Sequence, residues 1–188
     1  MYFSDGGYSD VQFNTARLRV KAHEIAAILP EMMYKLGADA VAVTGKSGLS
    51  LAFATLMLID FPLIVVRKRG ENSHGNPIEG TRSVDVRKYI ILDDFVSSGD
   101  TVKTMVDSID EMVDSAMNVM PLRCVGVLQY LRYGTGYDPV RYRCRYSYSI
   151  PVFSMSYMQD CVPDFSEEGT TRHSYASGSM TQSLDIAF

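Results

Sequence analysis

Tyr89-Ile-Ile-Leu-Asp-Asp-Phe-Val-Ser-Ser-Gly-Asp-Thr101 joins a hydrophobic strand to the start of a helix, and this junction sets the reading of the whole chain. Tyr89 to Leu92 is a short run of strand-forming apolar residues. Asp93 and Asp94 then deliver two adjacent carboxylates to the strand's carboxyl end, where open α/β sheets place ligands. Ser97, Ser98, Gly99 and Thr101 form a small, hydroxyl-rich loop, and Val102 to Met117 has the pattern of an amphipathic helix. Backbone N–H groups in such a loop can approach an anion closely, hydroxyls add donors, and the helix N-terminus adds positive potential. Carboxylates beside an anion cradle make sense when the ligand carries both phosphate and hydroxyls, or a magnesium ion. An acidic turn with a serine cap is the plainer alternative. It leaves unexplained why strand, acid pair, hydroxyl-glycine loop and helix start coincide.

Outward from this junction the same alternation continues. Ala40–Thr44 and Leu63–Val66 are apolar throughout, as strands covered on both faces should be, and a helix from about Leu49 to Ile59 separates them. Arg123–Tyr130 is a fourth strand of the same kind. Strands alternating with helices predict an α/β fold: an open, mainly parallel, twisted sheet flanked by helices. Upstream, Ala16, Val20, Ile25, Ile28 and Leu29 have helical spacing after an N-cap at Asn14 or Thr15, and Pro30 is expected to end or bend that helix before a last turn to Gly37. Between Val140 and Ile150 the residues alternate strictly, with Arg141, Arg143 and Arg145 on one side, predicting a half-exposed strand at a sheet edge or in a hairpin. The expected organisation is a single domain over 1–160, with its core at about 38–130, a small N-terminal hood over 1–37, a C-terminal β addition, and a polar Ser/Thr-rich tail over 161–188.

Composition narrows the class. A chain of 188 residues buries roughly 70% of its unfolded surface as one globule and needs neither disulfides nor metal to fold. Eighteen basic and twenty-two acidic side chains give a net charge of -4, which argues against a general attraction to nucleic acid or anionic lipid. Cys124, Cys144 and Cys161 are odd in number and lack a C-x-x-C pair, which suits a reducing compartment. Met1 to Asp10 has no signal-peptide pattern, and the apolar region from Leu49 to Val66 is broken by Asp60 and Pro62, too interrupted for a membrane span. A cytosolic protein without membrane contact is expected. His23 lies within the N-terminal helical pattern and reads as a helix-face residue, and no carboxylate or cysteine spacing around His173 in the polar tail suggests a site.

Four apolar residues, two acids, two variable residues and then Ser-Ser-Gly-Asp-Thr resemble the phosphoribosyl pyrophosphate (PRPP) signature of type I phosphoribosyltransferases, which have a Rossmann-like core. The resemblance implies that Asp93 and Asp94 hold the ribose hydroxyls, and that Phe95, Val96, Ser97, Ser98, Gly99, Asp100 and Thr101 wrap the 5′-phosphate. Thr44, Gly45, Lys46, Ser47 and Gly48 are similar to that family's pyrophosphate loop, although alone they also fit a Gly-rich helix start with an exposed lysine. A Walker A reading fails because position 40 is Ala. Val66-Arg-Lys-Arg-Gly-Glu-Asn-Ser-His-Gly75, closing with Ile78-Glu79-Gly80, looks like the mobile loop of orotate phosphoribosyltransferases, and in isolation it would be read as a solvated charged loop. The resemblance implies Arg67, Lys68, Arg69 and His74 beside the diphosphate, Mg²⁺ carried by PRPP near Asp93 and Asp94, a nucleobase as acceptor (orotate first, then adenine or xanthine), and a homodimer.

One departure bears on catalysis. The family places a lysine late in that loop, where this chain has Gly70-Glu71-Asn72-Ser73. Either Lys68 or Arg69 supplies the charge from a shifted register, or the loop does not perform that catalysis. Ser97, where some 6-oxopurine enzymes carry Asp, makes hypoxanthine and guanine weaker expectations. The alternative function is a non-catalytic PRPP-binding regulator that uses Arg141, Arg143 and Arg145 as a nucleic-acid face.

Overall fold

The computed structural model describes residues 14–68, 78–80, 86–96, 98–115, 121–130, 140–142 and 148–155. Helix α1 spans Thr15–Leu36, β1 Ala40–Thr44, α2 Gly45–Leu56, β2 Leu63–Val66, β3 Ile78–Gly80, β4 Lys88–Asp93, α3 Asp100–Ser115 and β5 Arg123–Gln129. Three short strands follow: β6 Val140–Tyr142, β7 Tyr148–Ile150 and β8 Val152–Ser154.

Six strands form one sheet in the order β3-β2-β1-β4-β5-β8. All neighbouring pairs are parallel except β2 and β3, so an antiparallel strand closes one edge. The strand residues divide between two faces. Val41, Val43, Ile90, Leu92 and Leu128 join a core with α1 and α2, whereas Ala40, Ala42, Ile64, Val66, Tyr89, Ile91 and Val127 join a second core with α3. Burial on both faces is why these strands read as unbroken apolar runs. The expected open, mainly parallel α/β sheet is the observed architecture. No helix among the described residues is long and apolar enough to cross a membrane.

Several boundaries differ from the sequence expectation. Asn14 caps α1 through its side chain, which accepts from the backbone N–H groups of Ala16 and Arg17, but Pro30 lies inside the helix and does not end it. A mid-helix proline costs about 3 kcal/mol, while each large apolar side chain buried contributes about 1.5–3 kcal/mol. Ile25, Ile28, Leu29 and Met32 lie buried on both sides of Pro30, so the packing outweighs the missing bond. The helix stops at Gly37, whose φ of 61° allows the closing turn in which Gly37 N–H donates to Tyr34 and Ala38 N–H to Met33.

Helix α2 begins at Gly45, directly after β1, and not near residue 49. The single strand expected over 140–150 is instead a pair, β6 and β7, antiparallel with Val140 opposite Ile150 and Tyr142 opposite Tyr148. A period of two is the same in one long strand and in the two arms of a hairpin, so alternation alone cannot separate them. Arg143 and Arg145 lie outside the described residues. Strands β3 and β8, three residues each, were not anticipated as sheet members.

Candidate active site

Because β1, β2, β4 and β5 run parallel, their carboxyl ends, Thr44, Val66, Asp93 and Gln129, gather on one edge of the sheet. Asp93 and Asp94 are only 7% and 6% exposed there. One Asp93 oxygen accepts from the Asp94 N–H at 3.0 Å, and one Asp94 oxygen accepts from the Phe95 N–H at 2.8 Å. The second Asp94 oxygen is buried without a hydrogen-bond partner. Burial, and then the neighbouring Asp94 carboxylate, push the Asp93 carboxyl up to about 7, against a smaller opposing pull from the Lys68 ammonium.

Lys68 follows the end of β2 and lies against the start of α2. A side chain on Gly45 would place its Cβ 3.0 Å from Lys68 Cε and 3.3 Å from Nζ. Gly45 is also left-handed, at φ 64°, a backbone conformation that calls for glycine, whereas the flexible end of Lys68 could move aside. At Gly48 an added Cβ would meet Val43 at 3.3 Å and the Leu92 carbonyl at 3.4 Å, so its absence lets α2 seat closely on the sheet. The Thr44 hydroxyl donates to the Val66 carbonyl at 2.7 Å and ties the ends of β1 and β2 together. Lys46 is exposed on the first turn of α2. Arg67 is ion-paired with Glu79 of β3.

Beyond the acid pair the chain turns into α3. Gly99 has φ 80°, and its carbonyl accepts from Lys103 N–H at 2.9 Å, opening the helix. The Ser98 hydroxyl donates to Asp100 at 2.6 Å. A hollow of about 90 Å³, lined by Asp93, Phe95, Val96 and the turn from Ser98 to Val102, lies between Asp93 and the helix start. This puts the Asp93 carboxyl and the N-terminal turn of α3, which carries Asp100, around one small space, and a helix N-terminus favours an anion.

The structure thus brings Asp93, Phe95, Val96, Ser98, Gly99, Asp100 and Thr101 around one hollow, with Asp94 buried beside Asp93, and sets Lys68 against Gly45 and near enough to Asp93 to act on its charge. Ser97, Arg69 and His74 lie outside the described residues. Gln129 escaped the sequence reading. Its signal was a polar residue ending the apolar run of β5, as Asp93 ends β4, and its side-chain oxygen accepts from Val96 N–H at 3.1 Å.

No family model and no curated protein matches the chain. Solved structures do. Leishmania donovani UMP synthase is 24% identical over 65% of this chain and 24% of its own, with a TM-score of 0.47. Mycobacterium tuberculosis orotate phosphoribosyltransferase, in complex with inorganic phosphate, is 15% identical over 66% of this chain and 62% of its own, with a TM-score of 0.48. The chain therefore spans less than two thirds of either. Orotate phosphoribosyltransferase from Aeropyrum pernix is 12% identical over 82% of this chain and 81% of its own, with a TM-score of 0.53. At such identities the likeness is one of architecture, and the architecture of this chain is the type I phosphoribosyltransferase fold.

Proposed function

We propose that this chain transfers a phosphoribosyl group from PRPP to a nucleobase and releases diphosphate. Orotate ranks first as acceptor, with adenine and xanthine next. The observation that carries the reading is a hollow of about 90 Å³ lined by buried Asp93, next to Asp94 in the chain, and by the N-terminal turn of α3. A ribose 5-phosphate offers hydroxyls at one end and a phosphate at the other, which matches the Asp93 carboxyl and a helix N-terminus around one space.

In the transfer, the bond from the anomeric carbon to diphosphate breaks and a bond to the base nitrogen forms. Positive charge grows on the ribose and negative charge on the leaving group. Asp93 and Asp94 orient the ribose and face the growing positive charge. The first turn of α2, from Gly45 to Gly48, and Lys68 receive the diphosphate, with Arg67, Arg69 and His74 assigned to the same loop. The N-terminal segment is proposed to contact the base.

Magnesium fits this donor set. The Asp94 oxygen without a hydrogen-bond partner and the neighbouring Asp93 are hard oxygen ligands. The ion is assigned to the PRPP diphosphate, with the two aspartates nearby. When bound, it screens the negative charge of the diphosphate. A cytosolic homodimer belongs to the same proposal.

The test is diphosphate release from PRPP and Mg²⁺ against a panel of bases. Turnover with any base supports the enzyme. PRPP binding without turnover, accompanied by salt-sensitive binding of RNA or DNA, would replace it with a regulator.

A further inference from the structure

The turn that carries the acid pair is held by the neighbouring strand. Gln129 is in register with Asp93, and the Tyr130 N–H donates to the Asp93 carbonyl at 3.1 Å. Beyond that point the chain after β4 leaves the sheet, and strand pairing can no longer satisfy its backbone. Gln129, 7% exposed, takes over: its side-chain oxygen reaches Val96 N–H at 3.1 Å, three residues past the strand end. Val96 belongs to the lining of the hollow, so Gln129 acts on the hollow through Val96.

The choice of side chain is chemically narrow. A hydrocarbon would leave the Val96 N–H without its acceptor, at about 1–3 kcal/mol where such a group is buried. A carboxylate would accept the bond but add a further acid beside Asp93 and Asp94, where burial already disfavours charge. Glutamine accepts without charge.

We infer that Gln129 is a positioning residue for PRPP: by fixing Val96 it sets the path from the acid pair to the start of α3, and so the spacing between the groups that grip the two ends of the sugar phosphate. The inference rests on the proposed PRPP site.

Gln129→Met tests it by keeping length and bulk while removing the acceptor. Calorimetric binding of PRPP with Mg²⁺ should weaken about tenfold, the size of one hydrogen bond. In diphosphate release the KM for PRPP should rise by the same factor, with kcat and the KM for the base nearly unchanged. Unchanged PRPP affinity in a folded Gln129→Met protein overturns the inference. So does a fall in kcat at constant KM, the pattern of protein lost to misfolding. Should Gln129→Met not fold, Gln129→Asn carries the same expectation, because it keeps the amide but withdraws it by one methylene. Wild-type protein that binds no PRPP overturns the functional reading itself, and this inference with it.

Discussion

Asp93 and Asp94 sit where two ionised carboxylates would repel each other with little water to screen them. Asp93 responds by holding its proton up to about pH 7, well above its ordinary 3.8. An acid whose pKa is higher in the folded chain keeps its proton where the unfolded chain has lost it. Its contribution to stability is therefore greatest at low pH and declines as pH rises from about 4 to 7. Urea unfolding of the wild type should show that loss, on the order of a few kcal/mol, and Asp93→Asn should flatten it. At pH 8 the Asp93→Asn protein should be the more stable of the two. In the double variant Asp93→Asn with Asp94→Asn, diphosphate release should vanish while the circular dichroism spectrum stays that of the wild type. An unchanged rate would remove both residues from the site.

Individual elements were legible in proportion to how much of their pattern is local. Strands β1 and β2 have the predicted bounds, because four or five apolar residues in a row admit few other readings in an alternating α/β chain. The acid pair and its loop were legible for the same reason: strand, turn residues and helix start are contiguous. Pro30 misled because local propensity opposes a helix that long-range packing sustains. Gln129 was missed because the polar end of β5 marks only a strand terminus, while the partner that gives it a role is 33 residues away.

Strand β3 shows the same dependence on distant contacts. Its Gly80 has φ 118°, and a Cβ there would lie 2.1 Å from the Leu63 carbonyl oxygen. Gly80→Val should unpair β3 from β2, with a loss of about 1–3 kcal/mol on denaturant unfolding. It should also release Glu79 from Arg67. Gly37→Ala tests the other glycine-dependent junction. It should cost about 1 kcal/mol, by forcing a side chain into the left-handed turn that ends α1, and should leave PRPP binding unchanged.

At the scale of the molecule, the sheet is a rigid centre between two apolar layers, and the proposed ligand sites occupy its carboxyl edge. Ligand that binds only the folded chain stabilises it by mass action, about 2.7 kcal/mol at a hundred times the dissociation constant. PRPP with Mg²⁺ should thus raise the melting temperature by several degrees, and the double aspartate variant should show no such rise.

The opposite edge carries none of the proposed ligand sites. Connections there, such as the turn after Met57 between α2 and β2, stand a full strand length from the acid pair, and Met57 is 85% exposed. Extra polypeptide spliced in after that residue should leave turnover intact, which makes it a natural attachment point for a fluorescent reporter or an affinity handle.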